Sequence, residues 1–341
     1  MCQSSALTSS IGAAIAGTLW FTLLTALLTR HYISDTLRNA PVLVLGYILL
    51  VLLVTILIFS YPSLRFKLHD AFEYTHRYAG WTAVALFWAE LLLLTSAQSA
   101  QAEQSFRTAL SHEPAFYLLI LITLNIIWPW LRLRKVQVVA EKLSSHAILI
   151  RFPTQLAPFS GYAISDAPLK EWHPFATFPG PEGSSGSSML VSHAGDWTSR
   201  AIDSPKLTYW VKGVPKAGVL SMTCLFRKCV VVTTGSGIGP CLAYLSPPWN
   251  QLPCRLLWST PAPLETYGPQ VCAMVRKIDP DAQIIDTRKY GRPNMVQLAY
   301  ELYVASGAEA VFVISNPLLT RKVVYAMESR GVPAFGPIWD S

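Results

Sequence analysis

The first third of the chain is dominated by long apolar stretches. Four of them lie approximately at residues 11–28, 42–59, 81–95 and 115–131. Each approaches the ~20 residues that a helix needs to cross a bilayer, and the third reaches that length if its helix begins near His76. The pattern predicts a membrane α-helical bundle of about four spans within residues 1–134.

After residue 134 the hydrophobic period shortens to that of strands. Alternating or β-branched runs, with Pro and Gly between them, lie at residues 135–140, 147–152, 161–165 and 189–193. Strands this short, separated by turn residues, favour an antiparallel arrangement. Residues 135–222 are therefore predicted to form a small antiparallel β-barrel.

Strand and helix patterns alternate in the last third of the chain. β-Branched runs occur at residues 229–233, 255–259, 283–286 and 310–315, with helical patterns at 269–278, 293–305 and 319–330. This alternation is typical of a parallel sheet covered by helices. Residues 223–341 are accordingly predicted to be an α/β Rossmann-like nucleotide-binding domain.

A glycine-rich turn follows the first strand of that domain. It reads TGSGIGP and contains Thr234, Gly235, Ser236, Gly237, Ile238, Gly239 and Pro240. Glycines let a backbone approach a pyrophosphate closely, and amides at the start of a following helix favour an anion. Such turns also serve packing alone, but together with the HPF and GRP segments elsewhere in the chain the turn indicates a nucleotide site.

Composition and charge agree with a membrane location. The chain has 52% hydrophobic and only 14% charged residues, which is too apolar for an ordinary soluble protein. The formal net charge of +7 is spread over the sequence or flanks the apolar stretches, so no nucleic-acid partner is expected. Basic residues concentrate between the second and third spans and after the fourth, which predicts a multi-pass protein with both termini cytoplasmic.

The six cysteines have no paired metal-ligand spacing, and no metal site is predicted.

The motifs and their order resemble the ferric reductase and NADPH oxidase superfamily, in which a ferredoxin-reductase-like module follows a membrane domain. Within it the chain is closest to the fungal TmpA-like integral membrane oxidoreductases, and the resemblance covers about residue 66 onwards. It implies FAD held by the HPF and Gly-Trp-Thr motifs, here His173, Pro174, Phe175, Thr177, Gly195, Trp197 and Thr198. It implies NADPH or NADH at the glycine-rich turn, with Arg288 and Arg292 at a ribose phosphate.

Several positions depart from the family pattern. Ser315, with Asn316 and Pro317 after it, stands where ferric reductases have Cys-Gly-Pro, so the serine takes the catalytic position. Asp196 adds an acid beside the expected flavin phosphates. The family's terminal aromatic, which covers the flavin, is Trp339 or Phe335, although the same segment also suits a last buried strand.

Heme is not expected in the helical region. His76 resembles the first of the family's paired ligands, but the partner position is Glu90, and the fourth span has no histidine. A low-spin heme needs two axial ligands. His76 therefore stays a candidate for another catalytic role, with His69 and Glu73 on the same helical face, and an amphipathic collar is the alternative.

Three functions are consistent with these features. The first is a membrane-anchored flavoenzyme that moves electrons from NAD(P)H through FAD to an unidentified small acceptor at the cytoplasmic face, without heme, in fungal secondary metabolism by family analogy. The second is a degenerate reductase fold that acts as a non-catalytic membrane scaffold or signalling component. The third is a membrane enzyme acting on a lipophilic substrate near His69, Glu73 and His76.

Overall fold

The computed structural model describes residues 2–34, 39–181 and 185–337. Its internal contacts divide the chain into two units, one containing the residues up to Trp128 and the other beginning at Pro129. The first unit is helical. The second contains every strand found in the described residues.

The helical unit is a series of long apolar helices joined by short ones. In chain order it contains α1 (Cys2–Ile33), α2 (Ala40–Ser60), α3 (Pro62–Lys67), α4 (His69–Tyr74), a π-helical turn (Thr75–Ala79), α5 (Gly80–Gln101), α6 (Phe106–Ser111) and α7 (Pro114–Ile127). Asn39 caps α2, because its side chain accepts a hydrogen bond of 3.3 Å from the Val42 amide. Phe21, Leu49 and Ala83 are buried where α1, α2 and α5 pack together.

Four segments of the described helices are long and apolar enough to cross a membrane. They are Gly12–Ile33, Ala40–Ser60, Ala71–Gln101 and Pro114–Arg132. The third is longer than the predicted 81–95 stretch, because helical geometry runs on from α4 through the π-helical turn into α5 and continues over the good helix formers of residues 97–101.

A nearly closed antiparallel barrel opens the second unit, after a 3₁₀ turn at Trp128–Arg132. Its elements are β1 (Arg134–Gln137), β2 (Val139–Lys142), β3 (Ala147–Phe152), β4 (Ser160–Ser165), β5 (His173–Pro179), β6 (Ser187–Ser192), α8 (Asp196–Asp203) and β7 (Thr208–Ala217). The strand order is β1-β7-β4-β5-β6-β3-β2. The two outermost strands are consecutive in the chain and only Val138 separates them, so the sheet curls round on itself.

A parallel sheet with helices follows the barrel. It contains β8 (Cys229–Thr234), α9 (Ile238–Cys241), β9 (Cys254–Thr260), α10 (Pro263–Ile278), β10 (Gln283–Asp286), α11 (Thr287–Tyr290), α12 (Met295–Ser306), β11 (Ala310–Ile314), α13 (Pro317–Glu328) and β12 (Ala334–Phe335). The strand order is β10-β9-β8-β11-β12, with every pairing parallel. The chain leaves β8 in one direction and returns on its other side at β11, so the topological switch point lies between these two strands.

The predicted barrel and parallel sheet are confirmed, with differences in detail. The run 135–140 divides into β1 and β2, which lie at opposite edges of the barrel sheet. The helix expected after the glycine-rich turn is only α9, followed by a 3₁₀ turn at Leu242–Leu245. The proline pair at 247–248 accounts for this end, because a residue before proline disfavours helical geometry.

The cysteines of the α/β part differ sharply in exposure. Cys229, Cys241 and Cys254 are buried in the core, whereas Cys224 is exposed. Burial raises the pKa of both Cys229 and Cys241 to about 12, so neither thiol forms an appreciable thiolate at neutral pH.

We therefore expect alkylation of the native chain at about pH 8 to modify Cys224 while these buried cysteines react only after denaturation. Peptide mass spectrometry with and without denaturant measures the pattern. Cys224→Ser serves as the control, since it should remove the modification at position 224 and leave the rest of the pattern unchanged. Fast modification of Cys241 in the native chain would show that the core opens.

Candidate functional site

The glycine-rich turn adopts a conformation that its glycines make possible. Gly235 has φ +51°, in the left-handed region, and its carbonyl accepts a 3.0 Å hydrogen bond from Trp258 Nε1. Gly237 lies against β11, where an added Cβ would be only 2.5 Å from the Ile314 carbonyl oxygen. Ser236, between them, is exposed. The contacts of Gly235 and Gly237 thus fix the turn against the sheet, and Ser236 is left at the protein surface.

Ser315 lies directly beside this turn. Its hydroxyl shares a short hydrogen bond with that of Thr234, although 81 residues separate the two in sequence. The carbonyl of Ser315 accepts a 2.9 Å hydrogen bond from Thr320 Oγ1 in α13. Only 5% of Ser315 is exposed. The structure therefore brings the predicted catalytic serine to the glycine-rich turn at the carboxyl ends of β8 and β11.

A cleft of about 710 Å³ opens at these strand ends. Its chemical character comes from cations on three separate segments: Arg288 in α11, Arg292 before α12, and Lys322 in α13. Hydroxyl and amide groups add hydrogen-bonding capacity. The other lining residues are Thr234, Gly235, Ser259, Thr260, Pro261, Thr287, Pro293, Met295, Asn316, Leu318 and Leu319.

The turn that carries Arg288 is organised by a carboxylate. Asp286 Oδ1 accepts hydrogen bonds of 2.9 Å from the amides of Ala262 and Arg288. These hydrogen bonds, above all the one from the Ala262 amide, lower the pKa of Asp286. The side chain that holds the turn is therefore an ionised carboxylate. Arg288 Nη1 also lies 3.1 Å from Glu265 Oε2, an exposed pair that leaves the guanidinium at the cleft edge.

An aromatic stack occupies the predicted flavin surface of the barrel. The rings of His173 and Trp197 are stacked with centroids 4.3 Å apart. The ring of Phe175 is also stacked on that of Trp197, with centroids 5.9 Å apart. Trp197 is 5% exposed and also contacts Tyr209. The HPF and Gly-Trp-Thr motifs, which β5 and α8 supply separately, thus meet at Trp197.

The amino-terminal end of α8 is held by Thr198. Its hydroxyl accepts hydrogen bonds from the amides of Ala194 (2.8 Å) and Gly195 (2.9 Å) and donates to the Gly195 carbonyl. The amides of the first helical turn, which begins at Asp196, have no partner within the helix. Asp196 is exposed at the start of this turn, and Trp197, which follows it, is buried against the His173 ring.

Two of the predicted contacts lie elsewhere. Thr177 is fully buried, and its hydroxyl is directed at the carbonyls of Ala157 (2.8 Å) and Ser160 (3.1 Å) inside the barrel. Phe335 stacks on Phe312 with centroids 5.1 Å apart in the core, in agreement with the alternative of a last buried strand. Pro174 is exposed on β5. Trp339 lies outside the described residues.

The structure describes part of the predicted histidine face of the helical unit. Glu73 forms an i,i+4 ion pair of 3.5 Å with Arg77, and the rings of Phe72 and His76 are stacked at 5.5 Å. The side chain of His69 lies outside the described residues. His76 is in the π-helical turn, a geometry that sequence periodicity does not reveal.

Lys322 and Leu318 are among the cleft residues that sequence reasoning missed. Both belong to α13, whose first turn follows the predicted catalytic serine. Asn316 caps this helix by accepting a 3.0 Å hydrogen bond from the Leu319 amide. The Asn-Pro pair was a visible helix-start signal, and it places Lys322 about one and a half turns inside the helix.

The chain is similar to fungal proteins named adenylate-forming reductases. The model for the C-terminal domain of Adenylate-forming reductase 03009 matches residues 219–341. Adenylate-forming reductases 06235 and 03009 of Coprinopsis cinerea are 47% and 46% identical to the chain over 332 and 331 residues. These alignments cover 97% of the chain, which spans only 32% of the length of either relative.

Solved structures with a related architecture are more distant. A ferredoxin NADP+ reductase from Neisseria gonorrhoeae is 12% identical with a TM-score of 0.48, over 61% of this chain and 99% of that one. A flavohemoglobin from Malassezia yamatoensis is 14% identical with a TM-score of 0.49, over 86% and 84% of the two chains.

Proposed function

We propose that residues 129–337 form a flavin-dependent oxidoreductase that takes hydride from NADPH or NADH. The observation that carries this proposal is the cleft at the carboxyl ends of β8 and β11. It is lined by Gly235 of the glycine-rich turn, by Thr234, whose hydroxyl is hydrogen-bonded to that of Ser315, and by three cations, all at the switch point where open α/β sheets bind their ligands. The reductase name of the fungal relatives supports the same class of chemistry.

The cleft suits a dinucleotide in chemistry and size. A phosphate needs backbone amides that it can reach closely and cations that neutralise it. The turn at Gly235–Gly237 meets the first need, and Arg288, Arg292 and Lys322 meet the second. These residues would hold the nucleotide phosphates and ribose, and the nucleotide would supply hydride chemistry when bound.

The barrel surface suits a flavin nucleotide. Trp197, in the first turn of α8, stacks on the His173 ring, and the first amides of this helix and the ring are proposed as one donor set for a pyrophosphate. Phe175, half-buried on the same strand as His173, offers a planar apolar face next to it. The Asp196 carboxylate opposes an anion there, which predicts looser flavin retention than the motif alone implies.

Ser315 is proposed to act at the hydride-transfer centre in place of the thiol of ferric reductases. The hydroxyl of Thr234 fixes its Oγ, and the Thr320 bond fixes its backbone. A serine in this position orients and hydrogen-bonds a ring but contributes no thiolate.

The helical unit is proposed to anchor the enzyme in a membrane, with both termini cytoplasmic. Four segments of sufficient length and apolarity support this, as does the basic character of the predicted cytoplasmic links. The same proposal includes four further expectations from the sequence. They are a relationship to ferric reductases and TmpA-like proteins, the absence of heme, a small-molecule electron acceptor and a place in fungal secondary metabolism.

The visible absorption spectrum of the detergent-purified chain tests the enzymatic proposal. We expect flavin bands that bleach when NADPH is added without oxygen, and no Soret band. A colourless chain that takes up no added flavin would favour the non-catalytic scaffold. A Soret band would contradict the expectation, based on Glu90 at the heme-ligand position, that heme is absent.

A further inference from the structure

The helical unit contains one carboxyl group that nothing in the proposed reductase uses. Glu90 lies in the middle of α5 and is only 3% exposed, although it is in an apolar bundle. Among the described residues, its Oε1 has no hydrogen-bond partner. Buried ionisable groups of this kind are rare because desolvation disfavours them, and within membrane helices they usually mark function.

The bundle is shaped to accept this carboxyl. Gly46 of α2 is the residue against it, and a Cβ at that position would lie 3.4 Å from Glu90 Oε1. Thr25 of α1 borders the same space, with its Oγ1 3.7 Å from that added Cβ. The Thr25 hydroxyl donates to the Phe21 carbonyl at 2.9 Å, which leaves its oxygen lone pairs able to accept. The three helices α1, α2 and α5 therefore enclose the carboxyl, with Thr25 and Gly46 at the border of its space.

Within the described parts of the helices packed on Glu90, no charged group neutralises it. Glu90 is the one charged residue of α5, and α2 has none. The titratable group of α2 is Tyr47, whose hydroxyl lies 3.0 Å from Thr29 Oγ1. On α1, Arg30, His31 and Tyr32 lie at least five residues beyond Thr25, more than one helical turn away along the axis. On the preceding π-helical turn, His76 and Arg77 are 14 and 13 residues earlier, each about 20 Å away along a helix.

We propose that Glu90 is a proton-binding site of the helical unit, occupied by a proton in the resting state. An unpaired carboxylate here would be shielded from solvent without a counter-charge, whereas a carboxylic acid is neutral. A metal ion is the weaker fit, since hard cations need several oxygen ligands. No cluster of three or more acidic, histidine or cysteine side chains occurs in the described part of the chain.

Infrared spectroscopy of the purified full chain tests this site directly. We expect the wild-type chain to show the C=O band of a protonated carboxylic acid at about pH 7. Glu90→Gln should lose that band, while Glu103→Gln, which changes an exposed carboxyl after α5, should keep it. Identical spectra for wild type and Glu90→Gln would overturn the proposal.

Labelling with dicyclohexylcarbodiimide provides a second measurement, because this reagent adds to protonated carboxyls in apolar surroundings. We expect the peptide containing Glu90 to be modified in wild type and Glu103→Gln, with no modification at that position in Glu90→Gln. Sodium chloride, compared with choline chloride at equal concentration, should not change the infrared band or the labelling. Loss of either signal with sodium chloride but not with choline chloride would show that the site binds a monovalent cation, and it would overturn the proposal of a proton site.

Discussion

Gly237→Ala is expected to destabilise the α/β domain and to abolish nicotinamide binding. The added Cβ would lie 2.5 Å from the Ile314 carbonyl oxygen and 2.6 Å from Thr233 Oγ1. Both atoms are fixed, because Thr233 Oγ1 donates to that same carbonyl at 3.0 Å within the paired strands β8 and β11. The turn must therefore move away from the sheet, and overpacking of this kind costs about 1–3 kcal/mol or more.

Thermal unfolding and titration with NADPH measure the two effects. Gly239→Ala is the matched control in the same turn, since its Cβ would make an ordinary contact of 3.5 Å with Leu190 Cβ. We expect the control to retain binding and a melting temperature near wild type. Equal behaviour of the two variants would show that close approach at Gly237 is unimportant for the nucleotide.

Lys322→Gln is expected to weaken NADPH binding by about 10- to 100-fold, because one charge-assisted contact to phosphate is worth about 1.5–3 kcal/mol. Lys322 is exposed and lines the same cleft as Arg288 and Arg292, so we expect it to neutralise the nucleotide without a role in the core. The loss should shrink as salt concentration rises, since screening removes part of the wild-type advantage.

Arg321→Gln, one position earlier on the same helix, provides the comparison. It removes the same charge from α13 but lies outside the cleft lining, and its side chain is exposed. Isothermal titration with NADPH and with NADH at two salt concentrations separates the contributions. If Arg321→Gln and Lys322→Gln weaken binding equally, the effect is that of overall charge and the site assignment of Lys322 is wrong.

The fold class was readable from local patterns, but the barrel strands were less so. The β-branched run of β8 and the apolar helices need no tertiary context to be recognised. β7, a ten-residue strand, was missed because Gly213 and Pro215 interrupt it. It forms because β1 and β4 pair with it on either side, with an irregularity in register between Gly161 and Ala163. Such pairing joins residues too far apart for periodicity to detect.

The sequence by itself determined which residues are candidates for the proposed chemistry. The order of the HPF, Gly-Trp-Thr, glycine-rich and GRP motifs named the proposed phosphate-binding and aromatic residues, because each motif is short and consists of adjacent residues. Long apolar runs likewise identified the helical unit, since each run is long and apolar enough for a helix that crosses a bilayer.

Only the tertiary structure decided which of these residues meet. It brought the hydroxyls of Ser315 and Thr234 into hydrogen-bond contact, showed that Lys322 lines the cleft, and directed the Thr177 hydroxyl into the barrel interior. It also enclosed Glu90 between Thr25 and Gly46, on helices that the sequence treats as separate apolar runs. The physical reason is common to all of these cases. Contacts between distant segments depend on packing, burial and strand order, which follow from the whole chain and not from any one stretch of it.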